Sequence, residues 1–410
     1  MASLGRSPGA APLTSADIPD NSITSAKIAT DQVTLAKMAG GTDGNLITYD
    51  TSGDPAYVAT GTSGHVLTSA GADAVPAFAV LPPAGVPRNY LINGDFQVAQ
   101  RATSFVASAN NDDVYTLDRW NLLSDTNDVV DVTQSSTAPT NQLYSIGLDV
   151  ETVNKKFGIA QIIEQKNCVG LIGNNVTFSF KAKVSATTKL DNVKAGIIAW
   201  SSTADSVTSD VVSAWAVEGT NPTLASNLTF ENTPANLSVT TSWATYSVSA
   251  NIDTSSTTNV IVFIWSDVTD TTAGDFLYIT DCQLEQGSNA TPYERRNYGE
   301  EEARCLRYYN APVGGGIRAC GTSSSTSNFT FSYAVGVRMR IQPALVHVNS
   351  AAHRAYHSGG YSSSTTNFTI SNMKGDIVQM NAPGHSGLTD NRPYILGMTG
   401  SYEVDLDSEL

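Results

Sequence analysis

Residues 175–184 read NVTFSFKAKV, and the spacing within these ten residues decides the fold. Val176, Phe178, Phe180, Ala182 and Val184 take every second position, with Thr177, Ser179, Lys181 and Lys183 between them. A helix would scatter these apolar groups around its circumference. A strand puts all of them on one face and the hydroxyls and ammonium groups on the other. The stretch therefore predicts a half-buried β-strand with one face on a core and the other towards water.

Working outward, Gly158–Gln165, Val193–Ser202, Ala244–Ile252, Asn259–Val268 and Asp275–Gln286 read the same way, separated by turn residues. Strands of this length and spacing predict two packed antiparallel sheets, a sandwich of jelly-roll type, over residues 88–296. Trp200 and Trp265 end the apolar runs GIIAW and VIVFIW and are expected in the core, whereas Trp215, in SAWAV between polar loops, is a candidate ligand contact.

The segment NYGEEEARCLRYYN, residues 297–310, predicts a connecting helix. Glu300, Glu301 and Glu302 sit near its N-terminus and Arg304 and Arg307 near its C-terminus, which suits the helix dipole. Glu300 and Arg304 are an i,i+4 pair, and Cys305, Leu306 and Tyr309 form the buried side. APVGGG, residues 311–316, reads as a hinge, and residues 316–410 as a small C-terminal β domain. There NFTFSYAVGV, 328–337, alternates, with further strands expected at Leu345–Val348, Asn367–Ser371, Asp376–Asn381 and Tyr394–Thr399. SAAHRAYHSGG, 350–360, reads as a long loop with at most one helical turn.

Towards the N-terminus, LPPAGVPRN (81–89) breaks regular structure and closes a segment of different character, residues 1–85. Leu13, Ile23 and Val33 recur ten residues apart, as do Ile18, Ile28 and Met38. GTDGNLIT at 41–48 returns as GTSGHVLT at 61–68, each followed by Pro-Ala-aromatic. Two or three apolar side chains per repeat cannot enclose a core within one molecule. The expectation is self-association, with Leu13, Ile18, Ile23, Ile28, Val33 and Met38 at the axis of a homotrimer.

The totals exclude several classes. The 410-residue chain has a formal net charge of −15, the wrong sign for a nucleic-acid partner. No run of about 18 apolar residues predicts a membrane span, and the N-terminus lacks the apolar core of a signal peptide. Cys168, Cys282, Cys305 and Cys320 have no metal-ligand spacing. Free thiols are expected, with a Cys305–Cys320 bridge the one pairing left open. No GxSxG, HExxH, P-loop or GxGxxG signature is present, so no enzyme activity, cofactor or metal is expected. His353 and His357 would share a helical face, but their segment reads as loop. Asp112, Asp113, Asp125, Asp128 and Asp131 lack the EF-hand pattern and read as solvated loops. Ligand contact is expected on C-terminal loops, where Arg354, Tyr356, His357, Tyr361 and Arg392 form the densest polar-aromatic run.

The motifs NYLINGDF (89–96), Gln100-Arg101 and Asp118-Arg119-Trp120 resemble the start of the jelly-roll domain of many tailed-phage tail fibre proteins. QLEQG (283–287), ATPYER (290–295) and CLRYY (305–309) resemble its end, so the likeness spans roughly residues 88–310. DIPDNSITSAKIA, 17–29, is similar to the N-terminal portion of such fibres. The resemblance implies a homotrimeric, non-enzymatic virion appendage located on the tail. Its implied partners are tail adaptor or nozzle proteins at the N-terminus and a host surface glycan or protein at the distal end. A head fibre with the same module and a glycan-degrading tailspike are the competing implications. In these motifs Asn93-Gly94-Asp95 is expected to form a tight turn, Asp118 and Arg119 to pair with each other, and Trp120 to sit in the core.

Overall fold

The structure is a computed structural model that describes residues 14, 18–20, 22–29, 42–71, 74–80, 88–254, 256–311, 319–347, 353–398 and 404–410. The chain divides into two units, residues 1–83 and 84–410.

In the first unit each long repeat folds into a hairpin. Leu46–Tyr49 pairs with Pro55–Val58, and His65–Thr68 with Ala77–Val80. Gly44 and Gly64 hold the same place in the two repeats, and both take left-handed backbone, at φ +81° and +89°, which glycine adopts without strain. Ile47 lies opposite Tyr57, and Leu67 opposite Phe78. Ile18, Ile23 and Ile28 are all exposed in the single chain, at 44%, 58% and 41%. Leu13, Val33 and Met38 lie outside the described residues.

The second unit opens with a sandwich of two antiparallel six-stranded sheets. One sheet runs, in spatial order, Leu228–Phe230, Val193–Trp200, Asn259–Ser266, Phe157–Ile163, Asn121–Ser124, Val114–Tyr115. The other runs Ala244–Asn251, Asn175–Val184, Phe276–Gln286, Ser145–Val150, Val130–Ser135, Ser104–Phe105. The chain passes repeatedly from one sheet to the other, so its interior strand pairs are long-range, as in a jelly roll. Val176, Phe178, Phe180, Ala182 and Val184 are all buried between the sheets, with Leu277, Ile279 and Leu284 from the neighbouring strand. Each such phenylalanine contributes about 1.5–3 kcal/mol by leaving water.

Asn259–Ser266 is buried on both faces. Its second face meets another cluster, Leu123, Ile162, Ile198, Val211, Phe263 and Trp265, which is covered by Trp200, Trp215 and Leu410. That double burial explains the unbroken apolar run VIVFIW, which a half-wetted strand would not have.

The helix spans Tyr298–Leu306. Glu300 and Arg304 pair on its surface at 2.9 Å, while Glu301 is buried against Arg296 at 3.1 Å. Cys305 is fully buried, Cys320 is exposed, and all four thiols are free.

Beyond the helix lies a seven-stranded antiparallel sheet in the order Gly360–Ser364, His353–His357, Pro393–Met398, Ala319–Ser323, Phe329–Ala334, Ile377–Ala382, Thr369–Lys374. Two of these strands correct the sequence reading, since His353–His357 and Gly360–Ser364 form a hairpin where a loop with a helical turn was expected. Ser358-Gly359 supplies a tight two-residue connection, and Ala355 finds a core beneath it. On a strand His353 and His357 stand about 13 Å apart and cannot share an ion.

Residues 404–410, to which the sequence reading assigns no element, return to the sandwich. Val404–Asp407 pairs with Tyr309–Asn310 on one side and Ala344–His347 on the other. Here the expected Asp118–Arg119 pair is also corrected. Arg119 is buried, bonds Glu409 and the Ile162 carbonyl, and lies 3.7 Å from the Tyr308 ring centroid. Asp118 instead accepts from the backbone and side chain of Gln100, both at 2.6 Å. Adjacent residues at a turn project apart, which keeps the two charges from meeting. Trp120 is fully buried and donates to the Asn93 carbonyl at 3.0 Å.

Candidate functional site

Alternation along His353–His357 sends His353 and Ala355 into the C-terminal core and leaves Arg354 and Tyr356 on the outer face. The register then assembles a row across four strands. Tyr361 lies opposite Tyr356, Ile395 opposite Tyr356 on the other side, and Cys320 opposite Ile395. Tyr361, Tyr356 and Ile395 are 52%, 37% and 55% exposed. The two tyrosine rings are 5.6 Å apart at their centroids, tilted by 50°. The Arg354 guanidinium carbon lies 4.2 Å from the Tyr361 ring centroid. Gly397 faces Arg354 in register, and a Cβ there would come within 2.6 Å of Tyr356 Cε2. The bare backbone at 397 is thus the seat of the Tyr356 ring.

Beside this row opens a cleft of about 340 Å³ lined by Cys320, Tyr356, His357, Ser358, Tyr394 and Ile395, with Pro393 at its edge. His357 Nδ1 accepts the Gly359 amide at 3.1 Å, which puts the proton of the neutral ring on Nε2. Its ring meets Tyr394 edge-on at 5.7 Å.

The structure therefore brings together Arg354, Tyr356, His357 and Tyr361. Arg392 is exposed at the turn entering Pro393, and it is Pro393, not Arg392, that lines the cleft. Trp215 belongs elsewhere. It is half-buried on the sandwich, 6.1 Å from the Phe263 ring, where it helps close the second core. Among the described residues no group of three His, Cys, Asp or Glu is placed to hold a metal, and no helix is long and apolar enough to cross a membrane.

The outer face of the sandwich carries a second aromatic row that the sequence reading missed. Lys183 lies opposite Tyr278, Tyr278 opposite Gly147 and Gly147 opposite Thr133. Lys183 Nζ is 5.2 Å from the Tyr278 ring centroid and 5.7 Å from that of Trp243. Phe276 and Tyr278 lie parallel, 5.2 Å apart. The available signal was that in FLYIT the face opposite Leu277 and Ile279 opens with two rings, Phe276 and Tyr278. Aromatic faces of this kind take the C–H faces of flat ligands, and adjacent polar groups fix orientation.

No protein-family model matches the chain, and no curated protein matches it. Among solved structures, the enzymatically active domain of tailspike protein 4 of Bacteriophage CBA120 is 16% identical with a TM-score of 0.29, over 49% of this chain and 22% of that one. A family 61 carbohydrate-binding module in complex with β-1,4-galactotriose is 14% identical with a TM-score of 0.27, over 49% of this chain and 99% of that one. A family 4 carbohydrate-binding module is 13% identical with a TM-score of 0.27, over 48% of this chain and 98% of that one.

Proposed function

We propose that the protein is a homotrimeric, non-enzymatic appendage of a bacteriophage virion, a tail fibre. In this reading residues 1–85 attach it to tail adaptor or nozzle proteins, and the outer face of the C-terminal sheet meets a host surface glycan. The observation that carries the binding half is the exposed row Tyr361–Tyr356–Ile395 beside its cleft. Large apolar groups gathered on one rigid face and left open to water mark a surface that a ligand covers in use. The appendage half is supported by the likeness of residues 88–310 to tail-fibre jelly-roll domains. It is supported too by the evenly spaced, exposed Ile18, Ile23 and Ile28. Threefold display would multiply a weak single-site affinity by about 10²–10⁴.

The test is adsorption of the purified protein to host cells and to a glycan array. Tyr356→Ala with Tyr361→Ala should abolish both signals while leaving the unfolding temperature within a few degrees of the parent. Undiminished binding by that double variant would sink the assignment of this face.

A further inference from the structure

Building on that reading of the C-terminal face, we propose that its ligand is an acidic glycan whose carboxylate or phosphate is taken by Arg354. At a net charge of −15 the chain has carboxylates in excess, and it sets them against Arg101, Arg119, Arg296, Arg304 and Arg307. Arg354 has none. Among the described residues no acidic group lies within 4.0 Å of it. Its guanidinium is laid over the Tyr361 ring, and its Nε is covered without an acceptor. Stacking on Tyr361 and a hydrogen bond with the Tyr356 hydroxyl together fix the plane of the fork. That is the pre-organised geometry for a planar carboxylate or a phosphate, which accept two parallel N–H bonds.

Across the hairpin Arg354 faces a hydroxyl, Ser363. The rings of Tyr356 and Tyr361 supply the stacking surface for the sugar, and Arg354, at their edge, reads the charged substituent it carries.

The experiment is titration calorimetry of the full-length protein with oligogalacturonate, with the same oligomer after reduction of its carboxyl groups, and with poly(ribitol phosphate), each in low and high salt. We expect at least one acidic probe to bind about tenfold or more tighter than the reduced oligomer, the range expected of a charge-assisted hydrogen bond, with a preference that fades in high salt. The carboxylate and phosphate arms identify which oxyanion is preferred. Arg354→Gln should remove the preference, so that acidic and reduced oligomers bind alike. Ser363→Asp, which sets a competing carboxylate across the strand pair, should do the same without touching the arginine. Equal affinity for acidic and reduced probes, no binding of either acidic probe, or an undiminished preference in both variants would overturn the inference. The glycan-binding reading itself is judged separately. Binding of the reduced oligomer that is lost on Tyr356→Ala preserves that reading even when the charge preference is absent.

Discussion

Arg119 and Glu409 meet inside the protein at 1% and 5% exposure, and a pair so placed is costly to break from one side. Glu409→Gln leaves the guanidinium buried without its counter-charge, with Arg101 also losing a partner at 3.4 Å. About 3–5 kcal/mol of stability should go, read as a lower midpoint in chemical denaturation with an unchanged slope. A second single-residue effect concerns protons. Burial of Asp113, with Asp112 and Asp210 nearby, raises its carboxyl to about 7, and its Oδ1 has no hydrogen-bond partner. An unfolded aspartate titrates near 3.9. Between those values the folded chain keeps a proton that the unfolded chain releases, so this group's contribution declines as pH rises through the window. Asp113→Asn should therefore raise the melting temperature by a few degrees near pH 8 and leave it unchanged near pH 4. His385 runs the other way. Burial, with the His353 ring tilted against it at 4.9 Å, lowers it to about 4. An unfolded histidine titrates near 6.5. The unfolded chain takes up the extra proton first, so stability of the C-terminal sheet falls as pH drops from about 6.5 towards 4. His385→Gln should flatten that slope in thermal melts.

At the scale of the element, strands with a clean alternation were legible and those with unusual surroundings were not. NVTFSFKAKV alternates cleanly and its observed bounds are Asn175–Val184, but the face expected to be wet is half-open at Lys181 and Lys183, with Thr177 and Ser179 buried. The expected helix at 297–310 is found at Tyr298–Leu306, its ends shaped by the charged residues that announced it. The hairpin at 353–364 was hidden because its strands mix a buried histidine, serines and exposed tyrosines, a pattern without a clean period. Its turn, Ser358-Gly359, looked like loop because it is loop, though for only two residues. The strand Val404–Asp407 carries two aspartates that find partners only in the fold, Asp405 taking the Tyr309 hydroxyl. Nothing nearby in sequence announces that pairing. Of the ligand face, residue types could nominate Arg354, Tyr356 and Tyr361, but only the register could place Ile395 and Gly397 beside them. Gly397 gives the element-scale test. Gly397→Ala pushes the Tyr356 ring off its seat, so ligand affinity should fall about tenfold in titration calorimetry. The fold should lose only about 1 kcal/mol, because the clash is with the movable end of a side chain.

For the whole molecule, the decisive quantity is how many chains come together. The first unit exposes Ile47, Tyr49, Tyr57 and Leu67 in its hairpins besides the isoleucines before them. At roughly 25 cal/mol per Å² of apolar surface, covering these groups in an assembly supplies the drive that one chain lacks. Light scattering should return a mass near three chains, and Ile18→Ser, Ile23→Ser and Ile28→Ser together should shift it towards one. Each detached chain would keep its sandwich, because that core closes within residues 84–410.

The doubly covered strand Asn259–Ser266 has a paired neighbour on either side from Val260 to Ser266 and side-chain layers above and below it. No small opening can wet its amides. In deuterated solvent they should be the last to exchange, at a rate set by complete unfolding, while those of Ala244–Asn251, at the rim of the facing sheet, exchange early. That one peptide would serve as an internal clock, timing how long the entire sandwich stays shut.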